Sequence, residues 1–381
     1  MGTYGQPLTI GIEEEYWLVD PLTRNLARDP PPDLPARCAA RIGPEIGAVT
    51  PEFLRVQLEV GTAICRSVKE ARSKLAALRR CAIETAAEHG LALVAASTHP
   101  IADWDGQRHT DKDRYNRLAA DMQALSRRLL ICGMHVHVGI EDDDLRIDLI
   151  NQVAYFLPHL LALSTSSPFW RGHDTGLKCY RLAVFDEMPR SGLPEQFASF
   201  EDYRRQVDAL VKVGIIEDAS KIWWDIRPHW RFPTLEMRIP DICTRLDDGI
   251  AVAALFVCLL SMLLRLRRDN QRWRVYPTLL LRENRWRAQR HGCDEGLVDF
   301  GKGRIVPYPA LLEEILALVA EDAAALDCTA EVDATRDILA RGTSAHRQVA
   351  IFDAARAAGA DSQEALSAVV DWLIAETRHG L

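Results

Sequence analysis

Acidic, imidazole and guanidinium side chains recur at alternate positions of four short segments that are otherwise largely apolar. Because successive residues of a β-strand point to opposite faces, each segment predicts a strand with one packed face and one polar face. In the segment 10–19, for example, Ile10 and Ile12 share a face and two acids lie together on the other. The polar faces carry Glu13 and Glu15 in the first segment, Arg55, Gln57 and Glu59 in the second, His135 and His137 in the third, and Glu236 and Arg238 in the fourth.

Polar faces of this kind can hold a divalent metal ion. Carboxylate oxygens are preferred ligands of Mg²⁺ and Mn²⁺, and a histidine can complete the coordination shell. A solvated sheet face also alternates between apolar and polar residues, but such a face usually includes lysine and these faces have none. Crowded carboxylates without a cation would repel one another. The excess of carboxylates favours magnesium, while His135 and His137 leave zinc-dependent hydrolysis open as an alternative.

Arginines form the second half of the polar set. Guanidinium groups bind phosphate and carboxylate oxygens in a bidentate manner. Phosphoryl transfer needs positioning and charge neutralisation more than it needs a nucleophile, so magnesium and arginine on one sheet indicate that chemistry. The alternative for the arginines between 282 and 290 is a solvated helix face, and no P-loop or Rossmann motif occurs. The arginines are Arg181, Arg227, Arg238, Arg282, Arg285, Arg287 and Arg290.

The elements that must position these residues follow from hydrophobic periodicity. Strands are predicted over 9–19, 53–64, 91–96, 131–140, 180–185 and 234–239. Helices are predicted over 68–88, 114–130, 144–163, 201–213, 247–266, 278–291, 310–324, 334–340, 345–358 and 363–377. The fold class is therefore α+β, with a mostly antiparallel sheet and helices packed on one side of it. Two long loops are predicted, a proline-rich one over 21–51 and another over 164–179.

Composition and charge describe an ordinary globular protein. The 381 residues include 46 basic and 54 acidic ones, for a formal charge of -8, with 48% apolar and 26% charged residues. These values exclude disordered and collagen-like proteins, and the acidic balance argues against a nucleic-acid partner. No change of composition marks a linker, so the sequence predicts a single domain over residues 1–381.

Cysteine usage and the apolar runs bear on location. The nine cysteines are scattered and include no CxxC pair, which indicates reduced thiols in a cytoplasmic protein. Residues 1–7 lack the features of a signal peptide. The longest apolar run, 250–264, is too short to span a bilayer comfortably and predicts a buried helix, so no membrane partner is expected. The sequence is compatible with either a monomer or a homo-oligomer.

Eight motifs, in order along nearly the whole chain, resemble one known family. They are Gly-Ile-Glu-Glu-Glu-Tyr at 11–16, Gln-Leu-Glu at 57–59, Met-His-Val-His-Val-Gly at 134–139, Ser-Pro-Phe-Trp at 167–170, Thr-Gly-Leu at 175–177, Trp-Asp-Ile-Arg-Pro at 224–228, Thr-Leu-Glu-Met-Arg at 234–238 and Glu-Asn-Arg-Trp-Arg at 283–287. Together they are specific. The sequence is similar to the carboxylate-amine ligase family, which is also called glutamate-cysteine ligase type 2.

The resemblance implies a glutamine-synthetase-like catalytic domain, with ATP and two or three magnesium ions held against the antiparallel sheet. It implies metal ligands at Glu13, Glu15, Glu52, Glu59, His135 and Glu236. It further implies catalytic roles for Arg238, at phosphate, and Arg227; substrate binding by Arg181, Arg227 and Trp170; and nucleotide binding by Arg285, Arg290, Arg347 and Gln348. The segment that contains the last two residues has Ser344 where the family pattern has a glycine.

The implied reaction is ATP-dependent amide formation between two small molecules. A substrate carboxylate, expected to be that of glutamate, attacks the γ-phosphoryl group, and cysteine or another amine captures the acyl phosphate with release of ADP and phosphate. Magnesium is the expected metal, and manganese could replace it. Two alternatives stay open: a phosphagen-type kinase on the same sheet, and a non-catalytic protein that binds a metal or a nucleotide.

Overall fold

A seven-stranded antiparallel sheet forms the centre of the computed structural model, which describes residues 8–381. The strands of the described chain are β1 (Ile10–Val19), β2 (Gly47–Pro51), β3 (Gln57–Thr62), β4 (Ala92–Val94), β5 (Met134–Gly139), β6 (Phe169–Trp170), β7 (His173–Asp174), β8 (Ser191–Gly192), β9 (Trp223–Trp224), β10 (Ile226–Pro228), β11 (Thr234–Met237), β12 (Leu297–Asp299) and β13 (Arg304–Val306). Strands β6 to β9, β12 and β13 form three separate two-stranded pairs.

Helices make up most of the remaining chain. They are α1 (Leu34–Arg41), α2 (Val68–Glu88), α3 (Asp113–Met122), α4 (Ala124–Arg127), α5 (Asp143–Val153), α6 (Leu157–Ser164), α7 (Arg181–Phe185), α8 (Phe200–Lys212), α9 (Leu246–Arg268), α10 (Thr278–His291), α11 (Tyr308–Ala325), α12 (Thr329–Asp333), α13 (Thr335–Arg341), α14 (Ser344–Ala357) and α15 (Ser362–Thr377). A short 3₁₀ helix, Ala219–Lys221, precedes β9. The last third is almost wholly helical, as the sequence predicts.

The order of strands in the large sheet is β10-β11-β5-β1-β3-β2, with β4 also paired to β1. The four segments with polar faces therefore become four adjacent strands, β11, β5, β1 and β3. Their registers align the polar residues directly. Glu13 pairs with His135, Glu15 with Glu59, and Glu236 with His137.

The two faces of the sheet differ as predicted. One face packs against α2 and α9 and includes Ile12, Tyr16 and Val136, all buried. The opposite face carries the acids and histidines and lines a cavity. The buried apolar side chains form one core cluster that extends from the sheet to α15. A single core supports the prediction of one domain, which stays a prediction. The α+β, antiparallel fold class is confirmed.

Helix α9 is the core helix of the protein. It has 23 residues, longer than the predicted 247–266, and is long and apolar enough to cross a membrane by length and composition alone. Most of its apolar stretch is buried inside the fold. All nine cysteines are free and buried as well.

Several predictions about local structure are wrong. Residues 180–185 form helix α7 and not a strand. The predicted loop 21–51 contains α1 and β2, because Pro35 occupies the first turn of α1, where no backbone N–H is required, and Pro51 ends an edge strand. The predicted helices 114–130 and 144–163 are each divided in two. Gln123, with φ of 48°, separates α3 from α4, and Pro158 lies in the first turn of α6.

Candidate active site

The centre of the site is a contact between one carboxylate of β1 and two imidazoles of β5. Glu13 Oε2 lies 3.1 Å from His135 Nδ1, and Glu13 Oε1 lies 3.4 Å from His137 Nε2. Burial works to raise the pKa of Glu13, but its interactions with the two neighbouring histidines outweigh burial and hold the pKa well below its usual range. Burial and nearby Arg238 lower the pKa of His135 to about 4. His135 is therefore neutral near pH 7.

Glu13, His137 and Glu236 form a group with the composition and spacing of a metal site. One ligand atom from each lies within 4.8 Å of the others, and among residues 8–381 this is the one group of three or more that meets that condition. Nε2 of His137 is buried and has no hydrogen-bond partner, so it is available to a metal ion. Two carboxylates and one imidazole suit a hard cation such as Mg²⁺.

Three further acids line the same cavity, but they do not belong to the compact group of ligand atoms. Glu15 Oε2 accepts a hydrogen bond from Gly133 N at 2.8 Å, Glu52 accepts one from Tyr115, and Glu59 accepts one from Thr50. Burial, followed by the charge of Glu52, raises the pKa of Glu15 to about 8.

The pKa of Glu59 is raised even further. Burial is the main cause, and the charges of Glu52, Glu13 and Glu15 add to it. Burial also raises the pKa of Glu52. The protein therefore does not supply enough positive charge near these acids for all of them to be ionised at once. A bound cation would supply the missing charge and allow the carboxylates to ionise together.

Glu236 lies between two arginines. Arg227 Nε donates to Glu236 Oε2 at 2.7 Å, and Arg238 donates to Glu236 Oε1. Burial alone would raise the pKa of Glu236, but Arg238 and Arg227 hold it well below its usual range. All three side chains are nearly buried. The contact between Arg227 and Glu236 follows from strand pairing, because Arg227 of β10 is opposite Glu236 of β11.

Arg181, the first residue of α7, forms part of the cavity wall. Its guanidinium donates to the carbonyl oxygens of Arg238 at 3.1 Å and Ile239 at 3.3 Å. A Cβ on Gly133 would lie 2.5 Å from Arg181 Nη2. Glycine at this position therefore provides the space that the guanidinium occupies.

The cavity around these groups has a volume of about 430 Å³. Its floor is the polar face of β1, β3, β5 and β11. Its walls come from α3, α7, the 3₁₀ helix and the loop after β10. The side chains that line it and carry charge or hydrogen-bonding groups include Glu13, Glu15, Glu52, Gln57, Glu59, Arg114, Tyr115, His135, Arg181, Glu217, Asp218, Ser220, Lys221, Trp223, Arg227, His229, Trp230, Glu236 and Arg238.

The structure thus brings nine of the predicted site residues to one cavity. They are Glu13, Glu15, Glu52, Glu59, His135, Arg181, Arg227, Glu236 and Arg238. Strand alternation places His137 with His135 among the candidate metal ligands, whereas the family resemblance implies a ligand role for His135 alone. Neither selects Arg114 of α3 or Lys221 of the 3₁₀ helix, because the direction of these side chains depends on how the two elements pack.

Five predicted site residues lie elsewhere. Arg285 is buried in ion pairs with Asp225 and Asp186, each at 2.6 Å. Trp170 lines a separate cavity of about 630 Å³ with Trp104 and Tyr180.

The other three belong to the C-terminal part of the chain. Arg290 donates to the carbonyl oxygen of Gly176. Gln348 is buried and donates to Ser166 O at 2.8 Å, whereas Arg347 is exposed. The structure does not place any of the five in the acidic cavity, and their assignment to nucleotide or substrate binding stays a prediction.

Comparison with known proteins identifies relatives over nearly the full chain. The profile of the family described as glutamate-cysteine ligase family 2 matches residues 9–371. A protein of Rhodospirillum rubrum named "Putative glutamate--cysteine ligase 2" is 64% identical over 370 residues, which cover 97% of this chain and 95% of the relative. A protein of the same name from Jannaschia sp. is 54% identical and covers 96% of each chain.

Solved structures share the fold at low sequence identity. The glutamate--cysteine ligase of Francisella tularensis in complex with AMP has a TM-score of 0.67 and 15% identity, covering all of this chain and 90% of the other. The bifunctional glutathione synthetase of Pasteurella multocida has a TM-score of 0.66 and 15% identity, covering 97% of this chain and 52% of the other. The chain therefore shares the fold of these two proteins, and the fold class predicted from the sequence is confirmed.

Proposed function

Because this chain belongs to glutamate-cysteine ligase family 2, we propose that it is an ATP-dependent carboxylate-amine ligase. The acid substrate is glutamate, and the amine is cysteine or another small amine. The observation that carries the proposal is the grouping of Glu13, His137 and Glu236 on one face of the sheet, where Glu236 also pairs with Arg227 and Arg238. Metal ligands and guanidinium groups side by side are the requirements of phosphoryl transfer.

Magnesium fits the floor of the cavity. Glu13, His137 and Glu236 would hold one ion, and Glu15, Glu52 and Glu59 offer further oxygen ligands nearby. Bound magnesium would supply charge neutralisation for the triphosphate. The unpartnered Nε2 of His137 and the raised pKa of Glu15 and Glu59 support this assignment.

The protein's own cations then orient the reacting groups. We assign Arg238 to the transferred phosphoryl group, Arg227 to the support of Glu236, and Arg181 to the reacting carboxylate. The carboxylate oxygen forms a bond to the γ-phosphorus as the bond to ADP breaks. The amine nitrogen next forms a bond to the carbonyl carbon of the acyl phosphate, inorganic phosphate departs, and the nitrogen loses a proton. No covalent bond to the protein is required, and none of the nine buried cysteines needs to react.

The relatives support the use of a nucleotide. The Francisella tularensis ligase with this fold was solved with AMP, and we transfer nucleotide binding to this chain as part of the proposal. The proposal also includes a cytoplasmic location, which agrees with nine free thiols, and a single catalytic domain.

The proposal is tested by product analysis. The protein is incubated with Mg-ATP and pools of amino acids and amines, and ADP, phosphate and condensed products are measured by mass spectrometry. We expect ADP and phosphate in equal amounts with an amide product, and only when a carboxylate, an amine and magnesium are all present. Omission of each component in turn is the control.

Other outcomes would contradict the proposal in distinct ways. Equal ADP release with ATP alone would indicate an ATPase. A stable phosphorylated product without free phosphate would indicate a kinase. Binding of nucleotide without turnover would indicate a non-catalytic protein, and cleavage of a substrate without ATP would indicate a metal-dependent hydrolase.

A further inference from the structure

The outer side of helix α10 exposes a short stripe of apolar and charged side chains to solvent. Leu279 and Trp286 are 78% and 49% exposed, and Arg282 and Glu283 between them are exposed as well. The spacing i, i+3, i+4 and i+7 places the four side chains on one side of the helix. At a rise of about 1.5 Å per residue, this α10 stripe is roughly 10 Å long.

The opposite side of α10 is held firmly by the rest of the protein. Leu281 is buried in the core, and Arg285 forms an ion pair of 2.6 Å with Asp225. Asn284 exchanges hydrogen bonds of 2.8 Å and 2.7 Å with the backbone of Val298. The α10 stripe is therefore a preformed surface, and a partner that binds it needs to order little of the backbone.

The two charges of the α10 stripe have no partner within the protein. Neither Arg282 nor Glu283 takes part in an ion pair or a side-chain hydrogen bond in the chain from residue 8 to 381. Adjacent residues of a helix do not face each other, so these two side chains do not pair with one another. One positive and one negative charge are thus available on the same surface.

The order of residues along the α10 stripe is complementary to its own reverse. Two copies of the helix can pair antiparallel about a twofold axis that passes between positions 282 and 283. Arg282 then faces Glu283 of the second copy. At the same distance on either side of the axis, Leu279 faces Trp286 of the second copy. Each contact occurs twice, as a closed twofold interface requires.

We propose that the protein forms a homodimer in which the α10 stripes of two copies pair antiparallel about a twofold axis. A second copy fits this surface because the stripe itself supplies the partner for each of its charges and each of its apolar side chains. A depression of about 330 Å³, lined by Arg282, Trp286 and Leu193 among others, adjoins the stripe. It provides room for Leu279 of the second copy beside Trp286.

The size of the α10 stripe determines how strong this dimer is. A stable interface buries about 1,200–2,000 Å² in total. A contact roughly 10 Å long between helices about 10 Å wide buries less than that. We therefore expect a reversible dimer with a dissociation constant of about 10–100 μM. Sedimentation velocity over a range of protein concentrations measures it.

The test reverses the two charges singly and together. Arg282→Glu places two acids at each charged contact, and Glu283→Arg places two guanidinium groups there. Each single variant should weaken the dimer by at least about tenfold, because like charges then face each other. The double variant Arg282→Glu with Glu283→Arg restores opposite charges and should recover the wild-type dissociation constant to within about threefold.

Mixing the two single variants provides a sharper form of the same test. In a heterodimer of Arg282→Glu with Glu283→Arg, an acid faces an arginine at both charged contacts. The equimolar mixture should therefore dimerise about as well as the wild type, although neither variant does so alone. For the apolar contacts, Leu279→Ser should weaken the dimer by about tenfold.

Matched controls carry the same changes of charge on other helices. Lys212→Glu at the end of α8 and Glu84→Arg in α2 alter exposed residues, and neither should change the dissociation constant. Thermal unfolding shows that each variant is folded, since exposed substitutions of this kind have little effect on stability.

Three outcomes would overturn the proposal. The first is a wild-type protein that stays monomeric well above the expected dissociation constant. The second is a dimer that the charge reversals leave intact, because its interface then lies elsewhere. The third is a double variant or a mixture that dimerises no better than the single variants. These measurements need no nucleotide or substrate, so their outcome is independent of the proposed ligase function.

Discussion

Glu14 and Arg79 form an ion pair in which both side chains are completely buried, with 2.7 Å between Glu14 Oε1 and Arg79 Nη2. Glu14 stands between two acids of the cavity floor, yet its side chain points through the sheet to α2. Arg79 also donates to the carbonyl oxygens of Thr244 at 2.7 Å and Cys243 at 3.2 Å. One acid of the Glu-Glu-Glu run is therefore structural, whereas its two neighbours face the cavity.

The first prediction concerns this ion pair. Glu14→Gln leaves the charge of Arg79 buried with only uncharged partners, the Tyr16 hydroxyl and two backbone carbonyls, so the free energy of unfolding should fall by about 3–5 kcal/mol. Chemical denaturation measures the change. The double variant Glu14→Leu with Arg79→Met should recover much of the loss, because apolar groups replace both charges. An unchanged free energy of unfolding in Glu14→Gln would show that this ion pair does not stabilise the packing of the sheet against α2.

The sequence predicts the floor of the site well and its surroundings poorly, for a physical reason. A strand exposes alternate residues to one face whatever its neighbours are, so the pattern at Glu13, Glu15, His135 and Glu236 is readable locally. The partner of Glu14 was not readable, because Arg79 lies 65 positions away on a helix whose face is set by tertiary packing.

Helix α10 shows the same limit. Its bounds, Thr278–His291, agree with the prediction, but periodicity could not show which arginine is buried. Arg285 pairs with Asp225 and Asp186, partners far away in sequence. The cavity-lining residues Arg114 and Lys221 were not predicted, because the direction of their side chains depends on where α3 and the 3₁₀ helix pack.

The second prediction contrasts two acids of the floor. Glu236 is neutralised by Arg227 and Arg238, so Glu236→Gln should lower the melting temperature of the metal-free protein. Glu59 is surrounded by other acids, which raise its pKa after burial does, so Glu59→Gln should raise that melting temperature. Thermal unfolding of both variants without metal tests the direction of the two shifts in melting temperature.

Turnover of the Glu236 variant is measured beside these melting temperatures. Glu236→Gln should reduce magnesium-dependent turnover by about tenfold to a thousandfold, the range expected for lost charge stabilisation at such a site. Shifts of the two melting temperatures in the same direction would contradict the charge distribution described for the floor.

The third prediction is a pH dependence of stability. Burial, with the charge of Glu52, raises the pKa of Glu15 from 4.5 to about 8. Between these values the folded protein keeps a proton that the unfolded chain releases. Stability of the metal-free protein should therefore fall as pH rises from about 4.5 to 8, by up to about 1.4 kcal/mol per pH unit for one group.

Denaturation at several pH values measures this slope. Glu15→Gln cannot titrate and should reduce the slope, and excess magnesium should do the same by replacing the proton. An unchanged slope in Glu15→Gln would show that Glu15 is already ionised in this range.

The fourth prediction concerns the thiols. All nine cysteines are free and buried, and the thiolate is the reactive form. Burial raises the pKa of Cys132 and Cys243 well above the usual range, which keeps both protonated. A colorimetric thiol titration should therefore detect few fast-reacting groups in the native protein and nine after denaturation. Rapid native labelling that abolishes turnover would contradict a mechanism without cysteine.

The last prediction uses Gly133 to move one guanidinium without changing its charge. In Gly133→Ala the new Cβ would lie 2.5 Å from Arg181 Nη2. The end of a flexible side chain can shift, so stability should change by no more than about 1 kcal/mol. The guanidinium would leave the carbonyls of Arg238 and Ile239, and misplacement of this size should lower ligase turnover by roughly tenfold to a hundredfold. Gly11→Ala is the matched control, because its Cβ would meet His137 Cβ at 3.6 Å, an ordinary contact. Steady-state kinetics and chemical denaturation of both variants separate position from stability. If Gly133→Ala keeps full turnover, the reaction does not depend on where Arg181 lies, and its assignment to the reacting carboxylate is wrong.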